Sequence, residues 1–191
     1  MIGAMPRLVV PDPSIVVLVG PAGAGKSTFA AGHFAADEIL SSDAFRQLVA
    51  GDAADQRATR PAFARLEREV DARLQQGLLT LVDATSLTRS ARSSLLRAAR
   101  AAGVPAVAIV LDLPAAVVLA RNAGRARVVD PAVVGDHLAR LRSLIDGGSM
   151  EREGFEAVYR IRSPRELDAV EVARVAAASG RGTPVTARNP R

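Results

Sequence analysis

The chain has 191 residues, 24 arginines against a single lysine, 20 acidic residues and a formal net charge of +5. That length fits one domain with a sizeable core, and the absence of cysteine excludes disulfides and thiolate metal sites. No apolar run reaches the roughly eighteen residues of a membrane span, and residues 1–10 lack the charged and apolar regions of a signal peptide, so a cytoplasmic chain without a membrane partner is expected. Residues 1–13, with Pro6, Pro11 and Pro13, read as an extended lead-in. Residues 15–19, all Ile, Val or Leu, make a first strand, and a helix is expected over 26–34. A short strand follows at 38–40, then a helix over 44–50 and a polar turn over 51–55. Phe63, Leu66, Val70 and Leu74 recur at helical spacing over 61–76, with Arg65, Glu69 and Arg73 on the polar side and Gly77 as the stop.

The apolar run 78–82 ending in Asp83 has the pattern of a strand buried on both faces. An arginine-rich helix over 88–102 leads to a second buried strand, 106–111, which ends at Asp112. A helix opens near Pro114 and reaches Asn122, followed by the arginine-dense turn 124–127. Asp130 caps a helix over 131–145 with Val134, Leu138, Leu141 and Ile145 on one face. Gly147-Gly148 ends it, and residues 155–161 read as the last strand. The capping box Ser163-Pro164-Arg165-Glu166 opens a helix expected to reach about residue 178, with a disordered tail beyond. Strands alternating with helices imply an α/β fold whose mostly parallel sheet is covered on both faces. Gly20, Asp43, Asp83 and Asp112 would then fall along one edge of that sheet.

Directly after the first strand stands Gly20-Pro21-Ala22-Gly23-Ala24-Gly25-Lys26-Ser27-Thr28, a full G-x-x-x-x-G-K-[ST] phosphate loop. It makes the expected architecture a P-loop NTPase three-layer fold. Gly20, Gly23, Ala24, Gly25, Lys26, Ser27 and Thr28 would cradle the phosphates of ATP, with Lys26 bridging phosphate oxygens and the Ser27 hydroxyl on Mg²⁺. Lys26 is the only lysine in a chain that otherwise uses arginine, as expected where a compact ammonium is required and a planar fork does not fit. It reads as an exposed loop cation. Asp83 is placed as a carboxylate that holds Mg²⁺ through its waters. Asp43 is a candidate general base, with helix N-capping as its competing role. Asp112 reads as structural, and so do His33 and His137, which have no partner pattern. Arg121, Arg125 and Arg127 lie where P-loop kinases carry a lid, at about 121–147. Between residues 84 and 129 seven arginines face one acid, an excess suited to phosphate contacts.

Together Ser41-Ser42-Asp43-Ala44-Phe45-Arg46, the distal Asp55-Gln56, Val82-Asp83-Ala84-Thr85, Leu111-Asp112-Leu113-Pro114 leading to Arg121-Asn122, and Glu153-Gly154-Phe155 with Val158-Tyr159 resemble one family. It is the 5′-hydroxyl polynucleotide kinase domain of bacterial RNA end-healing and sealing enzymes, and the resemblance spans about residues 8–175. It implies that Asp43 takes the proton from a polynucleotide 5′-OH and that Arg46 holds the acceptor's terminal phosphate or the reacting phosphoryl. Lys26, Arg121 and Arg125 would stabilise the γ-phosphate in transit. Two departures stand out: the lid has one residue fewer between its second and third arginines, which leaves the role of Arg127 open, and Ser86 stands where the family tends to have Asn. The end-healing enzymes carry phosphatase and ligase domains that 191 residues cannot hold, so a free-standing kinase module over residues 1–178 with a disordered basic tail at 179–191 is expected. The expected activity is ATP-dependent phosphorylation of the 5′-OH end of single-stranded RNA or DNA. The alternatives are a P-loop kinase for a small-molecule hydroxyl and a non-catalytic ATP-binding subunit, and a homo-oligomer is left open.

Overall fold

The computed structural model describes residues 7–50 and 59–177. Five parallel strands form the central sheet in the order β3 (Ile39–Ser41), β4 (Thr80–Asp83), β2 (Ile15–Val19), β5 (Ala106–Leu111) and β6 (Ala157–Ile161). The strand sequences explain this placement. All five residues of β2 and all six of β5 are buried, as continuous apolar runs must be when both faces of a parallel sheet are covered.

Because side chains alternate along a strand, the sheet divides the core in two. Ile15, Val17 and Val19 face a cluster with Leu66, Val70, Leu95, Leu96 and Leu141, contributed by α3 (Thr59–Gln75), α4 (Arg89–Ala102) and the distal half of α6 (Pro131–Asp146). Val16 and Leu18 face Phe29, Val118 and Val134, from α1 (Lys26–His33), α5 (Ala115–Ala123) and the first turn of α6. The helix α2 (Ser42–Ala50) closes the first layer through Phe45. Local signals set the helix ends: Asp130 caps α6 and Ser163 Oγ accepts the Glu166 N–H at 3.1 Å to open α7 (Pro164–Ala169), both as expected, while Thr88, expected as the first helical residue, instead caps α4. No described helix is long and apolar enough to cross a membrane.

Two expectations fail together. The lead-in is a strand, β1 (Arg7–Asp12), and the helix expected to reach residue 178 stops at Ala169, after which Glu171–Ala176 forms β7. These strands pair in parallel as a separate two-stranded sheet, Arg7 opposite Glu171 through Asp12 opposite Ala176. Glu-Val-Ala-Arg-Val-Ala carries no strong local preference, so pairing with β1 decides its conformation. Pro11 is tolerated because a two-stranded sheet consists only of edges. Tyr159 Oη fastens the pair to β6, accepting the Val9 N–H at 3.0 Å and donating to the Val9 carbonyl at 3.1 Å. The turn expected at 51–55, Asp55-Gln56 and the tail at 179–191 lie outside the described residues.

Candidate active site

The phosphate loop leaves the end of β2, the central strand, and turns into α1. Gly23 holds φ +84°, and a Cβ there would stand 2.6 Å from the Val118 carbonyl oxygen of α5, so no larger residue fits. The first helical bond of α1 runs from the Phe29 N–H to the Gly25 carbonyl. The N–H groups of Lys26, Ser27 and Thr28 are thus left outside the helical ladder, at the positive end of the helix. These residues line a cavity of about 1100 Å³.

Lys26 is buried, which corrects the expectation of an exposed cation. Its Nζ donates to the carbonyls of Gly20, at 3.0 Å, and Pro21, at 2.8 Å. Burial pulls its pKa down to about 8; Asp83 opposes the shift and Arg125 adds to it. Ser27 Oγ donates to Asp83 Oδ2 at 2.6 Å, so the two expected metal residues already touch. Their chemistry fits Mg²⁺. Both offer oxygen, and the described residues contain no cluster of three or more acidic, His or Cys side chains that would cage an ion. An Mg²⁺ held by these two residues would take the rest of its ligands from phosphate oxygens and water, the usual arrangement for that ion.

Asp43 reaches the same cavity because Ser41 of β3 pairs in register with Asp83 of β4 and α2 starts at the next residue. The helix begins two residues earlier than expected, so Asp43 sits inside the first turn rather than at its cap. Ser41 Oγ instead accepts the Ala44 N–H, at 3.5 Å. Asp43 accepts a hydrogen bond from the Arg46 guanidinium one turn along α2 and keeps half of its side chain exposed. Burial lowers the Arg46 pKa, and the nearby Arg127 lowers it further. Arg127, whose role the lid spacing left open, lines the same cavity as Arg46. Arg121 lies against the phosphate loop, its Nη1 3.3 Å from where a Gly25 Cβ would be, and Arg125 stands near enough to Lys26 to perturb it.

The structure also brings in residues to which sequence reasoning gave no part in the site, and it places His33 and His137, expected to be structural, on the cavity wall. Asn122, 2% exposed, donates to the Val129 carbonyl at 2.7 Å and accepts the Val129 N–H at 3.1 Å, closing the loop that carries Arg125 and Arg127. His137 and Arg140 of α6 line the cavity, as do His33 and α7's Leu167 and Asp168. His137 Nδ1 accepts the Ala22 N–H of the phosphate loop at 3.5 Å. Burial, then the charges of Lys26 and Arg140, hold its pKa below the ordinary histidine value against the pull of Asp136. That contact joins residues 115 apart, and no local pattern announces it. Asp112 stays out of the cavity: it accepts hydrogen bonds from Arg160 Nε, at 2.9 Å, and Nη2, at 2.6 Å, so it is structural, as expected.

No curated protein matches the sequence. Among solved structures, a sugar kinase from Janibacter sp. HTCC2649 is 25% identical with a TM-score of 0.56, over 81% of this chain and 90% of that one. A chain of the Pnkp1/Rnl/Hen1 RNA repair complex is 21% identical with a TM-score of 0.62. That match covers 72% of this chain and 47% of that one, so the present chain spans about half its length. A gluconokinase from Sinorhizobium meliloti 1021, 18% identical with a TM-score of 0.52 over 83% of this chain and 91% of that one, shares the fold. The sequence itself matches a family described as an AAA domain over residues 15–145. Since that match runs from the first residue of β2 to the last turn of α6, the chain belongs to the AAA-domain family of P-loop kinases.

Proposed function

We propose that the protein uses ATP and Mg²⁺ to phosphorylate the 5′-hydroxyl end of RNA or DNA. One observation carries this choice of acceptor. Lys26, Arg121 and Arg125 surround the phosphate loop, yet the same cavity holds three more guanidinium groups, Arg46, Arg127 and Arg140. Arg46 is paired with Asp43, and Arg127 and Arg140 add positive charge to the same cavity beside that pair, an arrangement suited to an anionic acceptor. An acceptor that brings its own phosphates meets that demand; a neutral sugar does not.

In this reading the Asp43 carboxylate takes the proton of the acceptor hydroxyl while that oxygen bonds to the γ-phosphorus. The bond from phosphorus to the β,γ-bridging oxygen breaks, its electron pair stays on that oxygen, and ADP leaves. Lys26, Arg121 and Arg125 meet the charge spread over the transferring group, and residues 121–147 act as a lid that excludes water. Ser27 and Asp83 would hold Mg²⁺, which supplies neutralisation of the phosphate oxygens. Arg46 orients the Asp43 carboxylate and, with Arg127, meets the acceptor's adjacent phosphate.

A second reading, phosphorylation of a small-molecule alcohol, is favoured by the sugar-kinase neighbour, which this chain covers nearly end to end. One assay separates the two. With ATP and Mg²⁺, a short single-stranded oligonucleotide ending in 5′-OH should accept the γ-phosphate, and its 5′-phosphorylated twin should not. Lone nucleosides should be poor acceptors, lacking the backbone whose binding energy holds the hydroxyl in line. Oligonucleotide affinity should fall steeply with salt, as counterion release requires. Turnover of a sugar at low salt with no transfer to any RNA or DNA end would reverse the assignment.

A further inference from the structure

Outside the cavity lies a charged cluster that the phosphoryl-transfer chemistry does not use. The side chains of Arg92, in α4, and Glu153, after the return from α6, are 1% and 6% exposed, and the guanidinium binds the carboxylate bidentately, at 2.7 and 2.6 Å. Burying such a pair gains little stability over a well-packed apolar one, so its third bond carries the interest. Arg92 Nη1 donates to the Ser86 carbonyl at 2.9 Å. Ser86 is buried and holds φ +46°, a left-handed conformation that a residue with a Cβ keeps only when its surroundings impose it. The preceding residues grip the phosphate loop at both ends: Thr85 O accepts the Gly20 N–H at 3.1 Å, and Asp83 accepts from Ser27. Glu153 is itself held from α4 by Arg100 Nη2, which donates to its carbonyl at 3.3 Å.

We propose that Arg92 and Glu153 are positioning residues for MgATP: their pair pins Ser86 and thereby fixes Asp83 and Thr85 against Ser27 and Gly20. The proposal rests on the phosphate loop being a MgATP site and is independent of the acceptor. Arginine is required because three donors of one rigid fork reach two carboxylate oxygens and a carbonyl at once, which an ammonium on a flexible stem does not reproduce.

The test is the double substitution Arg92→Met with Glu153→Leu, which leaves no buried charge unpaired. Two quantities are read beside the melting temperature: MgATP affinity by calorimetry, and hydrogen exchange of the nucleotide-free protein over residues 20–28 and 83–88. The variant should melt near the wild type, bind MgATP about 10- to 100-fold more weakly, as supports of a metal ligand do when removed, and exchange faster in both segments. Wild-type affinity and exchange in a folded double variant would overturn the proposal. If that variant fails to fold, Arg92→Lys decides by the same readings: it keeps a cation beside Glu153 but loses the simultaneous hold on Ser86, and wild-type values would reject the idea. Neither reading involves a polynucleotide, so failure of the 5′-OH assay and failure of this proposal are told apart. Wild-type protein that does not bind MgATP would sink the kinase assignment itself, while the exchange comparison still judges the clamp.

Discussion

Lys26 is surrounded by backbone carbonyls, one carboxylate and other cations, and its charge is costly there without a triphosphate. Its pKa is about 8 in the folded chain against 10.5 for an unperturbed lysine. Between those values the unfolded chain holds a proton that the folded chain has lost, so this residue makes stability rise with pH from about 8 to 10.5. At pH 7 the charged form costs the nucleotide-free protein about 3 kcal/mol. Lys26→Met should therefore raise its melting temperature at pH 7 while abolishing phosphoryl transfer, and the gain should vanish near pH 10.5; thermal melts at the two pH values check this. Because bound phosphates favour the ammonium, MgATP affinity of the wild type should weaken as pH passes about 8, which calorimetry across that range would show. Asp43→Asn keeps an oxygen for Arg46 but removes the base. Transfer should drop by about a hundredfold or more, with little change in melting temperature for a half-exposed side chain. A turnover rate equal to wild type would remove Asp43 from the mechanism.

Among the elements, the loop between α5 and α6 depends on one buried amide. Asn122→Ala strips the Val129 N–H and carbonyl of their partners at once. The cost should be about 1–3 kcal/mol of stability, measurable by urea titration. Because Arg125 and Arg127 ride on this loop, kcat should fall further than ATP affinity, the mark of groups felt mainly in the transition state; steady-state kinetics would separate the two. The same region shows what a sequence discloses. The phosphate loop, the Asp130 cap, the Ser163–Glu166 capping box and the continuous apolar strands were legible because each is specified within a few neighbouring residues. His137 joins the cavity through its contact with Ala22, 115 residues away, and nothing near it encodes that contact; Arg127 and Arg140 line the same cavity because the fold brings their loop and helix to it. Lys26 was legible in identity but not in burial, since that depends on how the loop folds back to turn the Gly20 and Pro21 carbonyls onto its ammonium. The strand β7 was missed because Glu171–Ala176 suits a helix as well as a strand until β1 lies beside it.

For the whole molecule, β-α alternation was sufficient to specify the central sheet, but the outer pair of strands obeys a longer-range logic. β1 and β7 run parallel over six registered residues although more than 150 positions separate them. Their joint has a mechanical direction. Tension applied between residues 7 and 176 enters β1 at its start and β7 at its end, so the strands must slide past one another and all their backbone bonds share the load. Tension between residues 7 and 171 enters both strands at the same end and peels those bonds apart one after another. The chain has no cysteine, so handles attached at introduced cysteines would be unambiguous. In an optical trap the first rupture should come at higher force for the 7/176 pair than for the 7/171 pair, forced unfolding being governed by the barrier rather than by equilibrium stability. Equal forces would mean that the pair bears no load. A short pair of strands at the margin of the fold would thus act as a shear clasp, resisting extension along one axis and yielding readily along the other.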